Sequence, residues 1–215
     1  MYSIDLREQY KRVIMWNQKV GKLPNPVTQL DIYSQQQLVE EEVQEWQEEL
    51  VKEEKDINLL KELCDVFVVS CYLDFLQLME VDEEVSLDLA SEVMKQVWCD
   101  EVLEGMTEKT YLEYANNLKD IGSLKVVLVG TKESYIDIEG AIDEVLDNND
   151  LKVYDTISEA DEQLLLLGDD SKYFVDCNTL GGRDYFCIKR IEDRKVMKAI
   201  NHPKVDLTKF VKGGE

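Results

Sequence analysis

Two pairs of acidic residues have the spacing that metal-assisted chemistry requires. Glu42 and Glu45 stand three positions apart in one acidic stretch, and Glu62 and Asp65 repeat that spacing in the next stretch. Side chains three positions apart lie one turn apart on the same side of a helix. Two such pairs on adjacent antiparallel helices would place four carboxylates together, an all-oxygen environment that hard cations prefer. The spacing therefore predicts a site for Mg²⁺ or Mn²⁺.

The apolar surroundings of the second pair strengthen this prediction. Glu62 and Asp65 interrupt a run of aliphatic and aromatic residues, and Lys61 is the one cationic residue beside them. A buried carboxylate without a partner is costly or loses its charge, and a bound divalent cation would remove that cost. Zinc is disfavoured because the chain has a single histidine, His202, and no CxxC pair. The alternative is that the many glutamates over residues 40–54 form only a solvated helix face.

Two consecutive helices must hold these acids. Val39, Val43 and Trp46 recur at helical spacing in the acidic stretch, so one face of this helix should pack against a partner. The following stretch, to about residue 79, is apolar on every side, as expected of a helix buried in a bundle. A short turn at about residues 55–57 would join the two helices.

The same residues resemble the signature of a known family. Glu41, Glu42 and Glu45, then sixteen further residues, then Glu62 and Asp65 are similar to the EExxE…ExxD motif of the MazG-like all-α nucleoside triphosphate pyrophosphatases. The resemblance implies a helical bundle that hydrolyses a nucleoside triphosphate, with a deoxynucleotide the expected substrate, to the monophosphate and pyrophosphate. It also implies Mg²⁺ as the cofactor, with Mn²⁺ as a substitute, and a homodimer or homotetramer.

The resemblance assigns a role to each acid. Glu42, Glu45, Glu62 and Asp65 would be the metal ligands, and Glu41 would support them. Glu42 and Glu45 would be the catalytic residues, with Glu45 the expected acceptor of the proton from the attacking water. A nucleophilic serine or cysteine is not expected, because none has a partner in the sequence that would activate it.

Three further residues are candidates for binding the substrate. Asn149 and Lys152 resemble the SNxxK-type segment of the same family, which implies that they contact the phosphates. The alternative is a helix C-cap, with an asparagine in the left-handed conformation and Lys152 complementing the helix dipole. Trp16, near the end of the first predicted helix, would flank the base by the same resemblance, although anchoring this helix to the core is the favoured interpretation.

The rest of the chain is predicted to be mainly helical with a small antiparallel β element at the C-terminal end. Alternating apolar and polar residues from Lys172 onwards predict a hairpin or small sheet. Residues 193–198 resemble a family tail in which Arg194 stands where a glycine is typical, so the turn there is uncertain from sequence. Helices are also predicted over residues 3–20, 81–105, 107–120, 136–148 and 156–167, whereas the apolar run over 124–130 is ambiguous.

These elements predict a division of the chain. We expect a helical pyrophosphatase-like domain over residues 1–152, with an inserted helical segment at about residues 80–135 that compact family members lack. A C-terminal helix and a β-hairpin tail over residues 153–215 would pack on the same domain.

The composition restricts the partners and the compartment. The formal net charge of −22 disfavours binding to nucleic acids and to anionic membranes, since both depend on basic patches. No run approaches the roughly 18 apolar residues of a membrane span, and the N-terminal residues lack the apolar core of a signal peptide. The five cysteines are odd in number and lack disulfide-like spacing, which favours the reducing cytoplasm.

Two other functions stay open at this point. The first is a catalytically inert acidic helical adaptor or nucleotide sensor, against which the intact acidic pairs argue. The second is a related chemistry on the same fold, such as that of a phosphoribosyl-ATP pyrophosphohydrolase or a dUTPase-type enzyme. Base specificity depends on the shape of the pocket, which the sequence does not reveal.

Overall fold

A computed structural model describes residues 5–52, 57–82, 84–99, 124, 137–168 and 171–211. Within these ranges the protein is mainly helical and carries a small three-stranded antiparallel sheet, which confirms the predicted fold class at that level. The helix predicted over 107–120 and the ambiguous run over 124–130, apart from Leu124, lie outside the described residues. Most of the predicted insertion at about 80–135 lies outside them as well.

The described helices follow the predicted order along the chain. Each matches an apolar periodicity in the sequence to within a few residues, with two exceptions. Helix α2 begins earlier, directly after the proline-containing loop, and α4 begins at Leu87 instead of at residue 81, which still belongs to α3. The helices are α1 (Arg7–Lys19), α2 (Gln29–Val51), α3 (Ile57–Val81), α4 (Leu87–Cys99), α5 (Ile138–Asp150) and α6 (Ile157–Leu167), and a 3₁₀ turn covers Thr208–Phe210.

A capping box starts α2 and thereby sets the register of the helix that carries the first acidic pair. The Thr28 backbone N–H donates to Asp31 Oδ2 at 2.8 Å, and the Asp31 N–H donates back to Thr28 Oγ1 at 3.3 Å. This reciprocal pair satisfies backbone donors that a helix N-terminus otherwise leaves open. From this start, α2 buries the stripe Ile32, Gln35, Val39, Val43 and Trp46.

Helices α2 and α3 pack along each other. Gln35 on α2 donates through Nε2 to the backbone oxygen of Val69 on α3 at 2.9 Å. Seven residues further along α2, Glu42 approaches Glu62 and Asp65 at an earlier position on α3. The two helices therefore run antiparallel, as the sequence predicts.

The sheet consists of β1 (Val153–Tyr154), β2 (Tyr173–Leu180) and β3 (Arg183–Arg190), in the order β1-β3-β2. Strands β2 and β3 form a hairpin whose register pairs Tyr173 with Arg190 and Leu180 with Arg183. Gly181 and Gly182 connect them with positive φ angles of 60° and 80°. A two-residue turn with both φ values positive matches the right-handed twist of hairpin strands, which explains why two glycines stand there.

The chain divides into two compact units. The first contains Met1–Ile14, Asn25–Val145 and Asp206–Glu215, and the second contains Met15–Pro24 and Leu146–Val205. Both units thus combine distant segments, whereas the sequence predicts a single boundary after Lys152. A local pattern cannot reveal such an interleaved division, because it depends on which distant segments share a core.

Each unit has buried apolar residues of its own. In the first unit, the interiors of α2 and α3 are buried together with Tyr10, Val13 and Ile142. In the second unit, Val20, Cys187 and Val196 form a small core against which Trp16 and Val153 pack. None of the helices in the described part of the chain has the length and apolar character that crossing a bilayer requires.

Candidate metal centre

Three of the four predicted acidic ligands meet in the first unit. One carboxylate oxygen each from Glu42 on α2 and from Glu62 and Asp65 on α3 lie within 4.8 Å of one another. We call these three residues the carboxylate cluster. All three are half-buried, because Glu42 borders the buried stripe of α2 while the other two lie among the apolar residues of α3.

Lys61 is the cationic neighbour of the carboxylate cluster. Its Nζ donates to Glu62 Oε1 at 2.9 Å and to Asp65 Oδ2 at 3.0 Å, and 49% of its side chain is exposed. Partial burial alone would lower the pKa of Lys61, but the charges and hydrogen bonds of Asp65 and Glu62 raise it above its ordinary value. One lysine charge therefore faces three acidic groups.

The uncompensated negative charge of the cluster affects the pKa of its third acid, Glu42. Partial burial, followed by the negative charges of Asp65, Glu45 and Glu62, raises the pKa of Glu42 to about 7, and Lys61 offsets only part of this effect. A carboxyl group with such a pKa retains a proton at mildly acidic pH. A further positive charge would therefore stabilise the cluster.

Glu62 has a polar atom that the fold leaves without a hydrogen bond. Its Oε1 accepts from Lys61, whereas its Oε2 is buried and makes no hydrogen bond within the part of the chain that the structure describes. Buried polar atoms nearly always have a partner, so an exception needs an explanation such as an ion. The donor set is entirely carboxylate oxygen, with no thiol or imidazole in the described cluster, and this chemistry fits Mg²⁺ or Mn²⁺ better than zinc.

Glu45 and Glu41 lie outside the carboxylate cluster. Both are exposed, and Glu45 stands one turn further along α2 than Glu42, on the side that turns away from the buried stripe. Its charge nevertheless contributes to the raised pKa of Glu42, so it lies near the cluster. Its assignment as a fourth metal ligand stays a prediction.

A groove along α2 does not belong to this site. It has a volume of about 380 Å³ and lies between the α2 segment over residues 36–47 and Leu73 of α3. The groove-lining positions Glu40 and Gln44 lie on the opposite edge of the buried α2 stripe from Glu42, given 3.6 residues per turn. A ligand in the groove would therefore not face the carboxylate cluster.

The three predicted substrate-binding residues lie together in the second unit. The Trp16 Nε1–H donates to the backbone oxygen of Asn149 at 2.9 Å, and the Lys152 ammonium donates to Asn149 Oδ1. The same ammonium lies 5.7 Å from the centroid of the Trp16 ring. Trp16 also packs on the small core of this unit, which agrees with the anchoring role favoured from sequence, and its role beside the base stays a prediction.

The cap interpretation of this segment holds only in part. The Lys152 backbone N–H donates to the Asn149 oxygen at 3.0 Å, which closes the last turn of α5. However, Arg194 is the one non-glycine residue with positive φ in the described ranges, so neither asparagine there adopts the left-handed conformation. The left-handed residue at Arg194, with φ of 60°, instead resolves the turn that the sequence left uncertain.

Sequence reasoning missed a set of basic residues in the second unit. Lys22, Lys189 and Lys195 stand in three separate segments, and no local motif links them. The sequence gives no signal for their proximity, because it arises from the pairing of β3 with the segment that follows it and from the end of α1. Desolvation, and then the charges of Lys189 and Lys195, lower the pKa of Lys22, so the three ammonium groups lie near one another.

The described fold and site define an acidic, mainly helical protein in which two packed helices present a cluster of carboxylates. Comparisons with protein-family models, with curated proteins and with solved structures found no match. The assignment of a function therefore depends on the geometry of the site and on the motif in the sequence.

Proposed function

We propose that this protein hydrolyses a nucleoside triphosphate, with a deoxynucleotide the expected substrate, to the monophosphate and pyrophosphate with the help of Mg²⁺ or Mn²⁺. The observation that carries the proposal is the carboxylate cluster of Glu42, Glu62 and Asp65, with its buried Glu62 oxygen that lacks a hydrogen bond. The EExxE…ExxD spacing supports it independently. A chain with a net charge of −22 also needs a cation to bind a polyphosphate.

Each residue of the site would have its own role in the reaction. The cation, when bound, neutralises charge on the phosphates and lowers the pKa of a coordinated water. Glu42, Glu62 and Asp65 would hold it through their carboxylate oxygens. Glu45, exposed and near the cluster, would accept the proton as water attacks the α-phosphorus. The bond between this phosphorus and the bridging oxygen then breaks, and pyrophosphate leaves.

Lys61 would serve as the counter-ion of the cluster when no metal is bound. Its ammonium occupies one oxygen each of Glu62 and Asp65, the same acids that would bind the cation. Its half-exposed side chain has room to turn towards solvent when a doubly charged ion takes over these oxygens. In the absence of metal, the charge of Lys61 would thereby reduce the repulsion among the acids of the cluster.

The substrate-binding residues complete the proposal. By the family resemblance, Asn149 and Lys152 would contact phosphates, and Trp16 would flank the base. Their mutual contacts in the second unit support treating them as one set. We also propose a homodimer or homotetramer, as the family resemblance implies. Light scattering after gel filtration would give the oligomeric state.

The test is a panel of canonical and modified ribonucleoside and deoxyribonucleoside triphosphates and diphosphates, incubated with Mg²⁺ and assayed for pyrophosphate and for orthophosphate. Pyrophosphate from triphosphates is the expected result. Pyrophosphate released from dUTP alone among the triphosphates would indicate the dUTPase-type chemistry instead. No product from any nucleotide would overturn the enzymatic proposal and favour an inert adaptor or nucleotide sensor.

A further inference from the structure

Lys61 bridges the two acids of α3 that belong to the carboxylate cluster. Its Nζ lies 2.9 Å from Glu62 Oε1 and 3.0 Å from Asp65 Oδ2, so these bonds use two of the three donors of one ammonium group. Lys61 and Asp65 are four positions apart on α3, which places them on the same side of the helix. The bridge therefore follows from the local geometry of α3 and needs no residue from another segment.

The lysine is the most exposed member of this bridge. The side chain of Glu62 is 14% exposed, that of Asp65 is 32% exposed and that of Lys61 is 49% exposed. On the inner side, Glu62 Oε2 is buried and makes no hydrogen bond within the described ranges. Lys61 thus belongs to the solvent-facing edge of the carboxylate cluster, where a dissolved ligand has to approach.

Lys61 is also the one basic residue in the two helices that form the site. Helix α2 contains many glutamates but no lysine or arginine, and α3 contains Lys61 alone. A polyphosphate that approaches the cluster is repelled by the acids of both helices. Among the side chains of α2 and α3, only that of Lys61 would attract it through a full positive charge.

Lys61 and a divalent cation would compete for the same oxygens. Carboxylate oxygens are the ligands that such a cation prefers, and the lysine already occupies one oxygen of each α3 acid. Two positive charges that share these oxygens repel each other. The lysine has a flexible four-carbon stem and a half-exposed side chain, so it is able to turn away from the acids.

We propose that Lys61 is a phosphate-binding residue that the carboxylate cluster holds back until a divalent cation is present. Without the cation, its ammonium stays on Glu62 and Asp65. With these oxygens taken, Lys61 turns to the polyphosphate bound at the cluster and donates a charge-assisted hydrogen bond to a phosphate oxygen. The inference rests on the proposed function, because it takes a nucleoside triphosphate as the anion. It makes Lys61 an opponent of the cation and an ally of the substrate.

The first test measures the affinity for Mn²⁺ in a calorimeter, with the full chain and no nucleotide. Lys61→Gln should bind Mn²⁺ about fivefold more tightly, because it removes a competitor whose partly exposed ion pairs are worth up to roughly that factor. Lys52→Gln is the matched control, since Lys52 at the end of α2 also pairs with a glutamate, Glu49, and is 59% exposed. Its affinity should stay unchanged. Circular dichroism of each variant establishes that it is folded.

The second test measures the binding of inorganic tripolyphosphate to the same proteins at a saturating concentration of Mg²⁺. Lys61→Gln should weaken this binding about tenfold, the value of a hydrogen bond between charged groups. Lys61→Arg keeps the positive charge and should restore most of the affinity. Tripolyphosphate has no base, so the result does not depend on which nucleotide the protein prefers.

The two shifts have opposite directions, which a purely structural role of Lys61 would not produce. Weaker or unchanged Mn²⁺ binding by Lys61→Gln would overturn the proposal. Tighter Mn²⁺ binding with unchanged affinity for tripolyphosphate would overturn it as well, because Lys61 would then be a counter-ion alone. If both shifts occur and the nucleotide panel yields no product, the role of Lys61 holds and the proposed hydrolysis fails. If the panel yields pyrophosphate and Lys61→Gln behaves like Lys52→Gln, the reverse is true.

Discussion

Glu42 on α2 and Asp65 on α3 bring carboxylate oxygens within 4.8 Å of each other, and Glu62 joins them within the same distance. Acidic groups at this separation repel, and a single neighbouring lysine does not compensate all three. The fold holds them together through the apolar packing of α2 on α3. Such a cluster is well placed to bind a cation.

The first prediction concerns Asp65 as a metal ligand. Asp65→Asn should lower Mg²⁺-dependent release of pyrophosphate by at least about a hundredfold, because loss of an outer-shell partner already costs 10–100-fold in other metal sites. The far-ultraviolet circular dichroism should be unchanged, since Asp65 is half-buried and asparagine has nearly the same shape. Glu40→Gln, a comparable change at an exposed position of α2, should retain full activity. Full activity of Asp65→Asn would exclude the site.

The second prediction separates proton transfer from metal binding at Glu45. Because Glu45 is exposed and lies outside the carboxylate cluster, Glu45→Gln should reduce kcat more than it reduces the affinity for Mg²⁺. A positioned general base typically contributes about 10²–10⁴-fold. Steady-state kinetics over a range of Mg²⁺ concentrations would measure both quantities. If Glu45→Gln weakens Mg²⁺ binding as strongly as Asp65→Asn does, the main role of Glu45 is that of a metal ligand and not that of a general base.

The third prediction links metal, pH and stability through Glu42. Its folded-state pKa is raised from 4.5 to about 7, so the folded protein binds more protons than the unfolded chain between these values. Without metal, stability should therefore fall as pH rises through this window and then level off. A cation that replaces the proton should raise Tm more at about pH 8 than at about pH 5.5.

Thermal unfolding in EDTA and in excess Mg²⁺ at the two pH values measures this effect. In Glu42→Gln the EDTA curve should lose much of its pH dependence in this window, because glutamine does not titrate. A Mg²⁺ effect that is equal at both pH values would contradict the assigned coupling.

The fourth prediction concerns the hydrogen bond between the buried Tyr10 and the half-buried Asp74. The Tyr10 hydroxyl donates to Asp74 Oδ2 at 2.9 Å. Burial raises the pKa of Asp74, and this hydrogen bond opposes the shift by stabilising the carboxylate. Tyr10→Phe should therefore cost about 1–3 kcal/mol in the free energy of unfolding at neutral pH. The stabilisation of the carboxylate is lost as pH falls and Asp74 becomes protonated, so the cost should shrink in acid.

Urea unfolding at neutral and at acidic pH would measure the cost of Tyr10→Phe. Tyr33→Phe is the control, since the Tyr33 hydroxyl is exposed and accepts only a 3.2 Å bond from Gln37 within α2. Its effect should stay within about 0.5 kcal/mol. A cost for Tyr10→Phe that grows in acid would show that the hydroxyl stabilises the protonated acid instead.

The fifth prediction concerns the left-handed turn at Arg194. Its φ of 60° is costly for a residue with a Cβ, and its guanidinium lies 4.8 Å from the Phe174 ring. Arg194→Ala and Arg194→Gly both remove that cation–π contact, but only the glycine variant removes the backbone strain. Arg194→Gly should therefore be more stable than Arg194→Ala by about 1 kcal/mol. Equal stability of the two variants in chemical unfolding would mean that the turn relaxes in solution.

Several features of this protein were readable from local patterns. The helices followed from apolar periodicity, and the hairpin followed from alternation that ends at turn-prone residues. The i, i+3 spacing placed Glu62 and Asp65 on one side of α3, because helix geometry is local and repeats every few residues. The same spacing grouped Glu42 with Glu45, yet it did not show that Glu45 would remain exposed outside the cluster.

The sequence by itself thus determined the secondary structure elements and the acidic character of the central helix pair. Only the tertiary structure decided which carboxylates meet, since burial at the edge of the α2 stripe differs between Glu42 and Glu45. It also decided the interleaved units and the proximity of Lys22 to Lys189, which lie far apart in the chain. Contacts of this kind depend on long-range packing, which cannot be predicted from a local pattern of residue types.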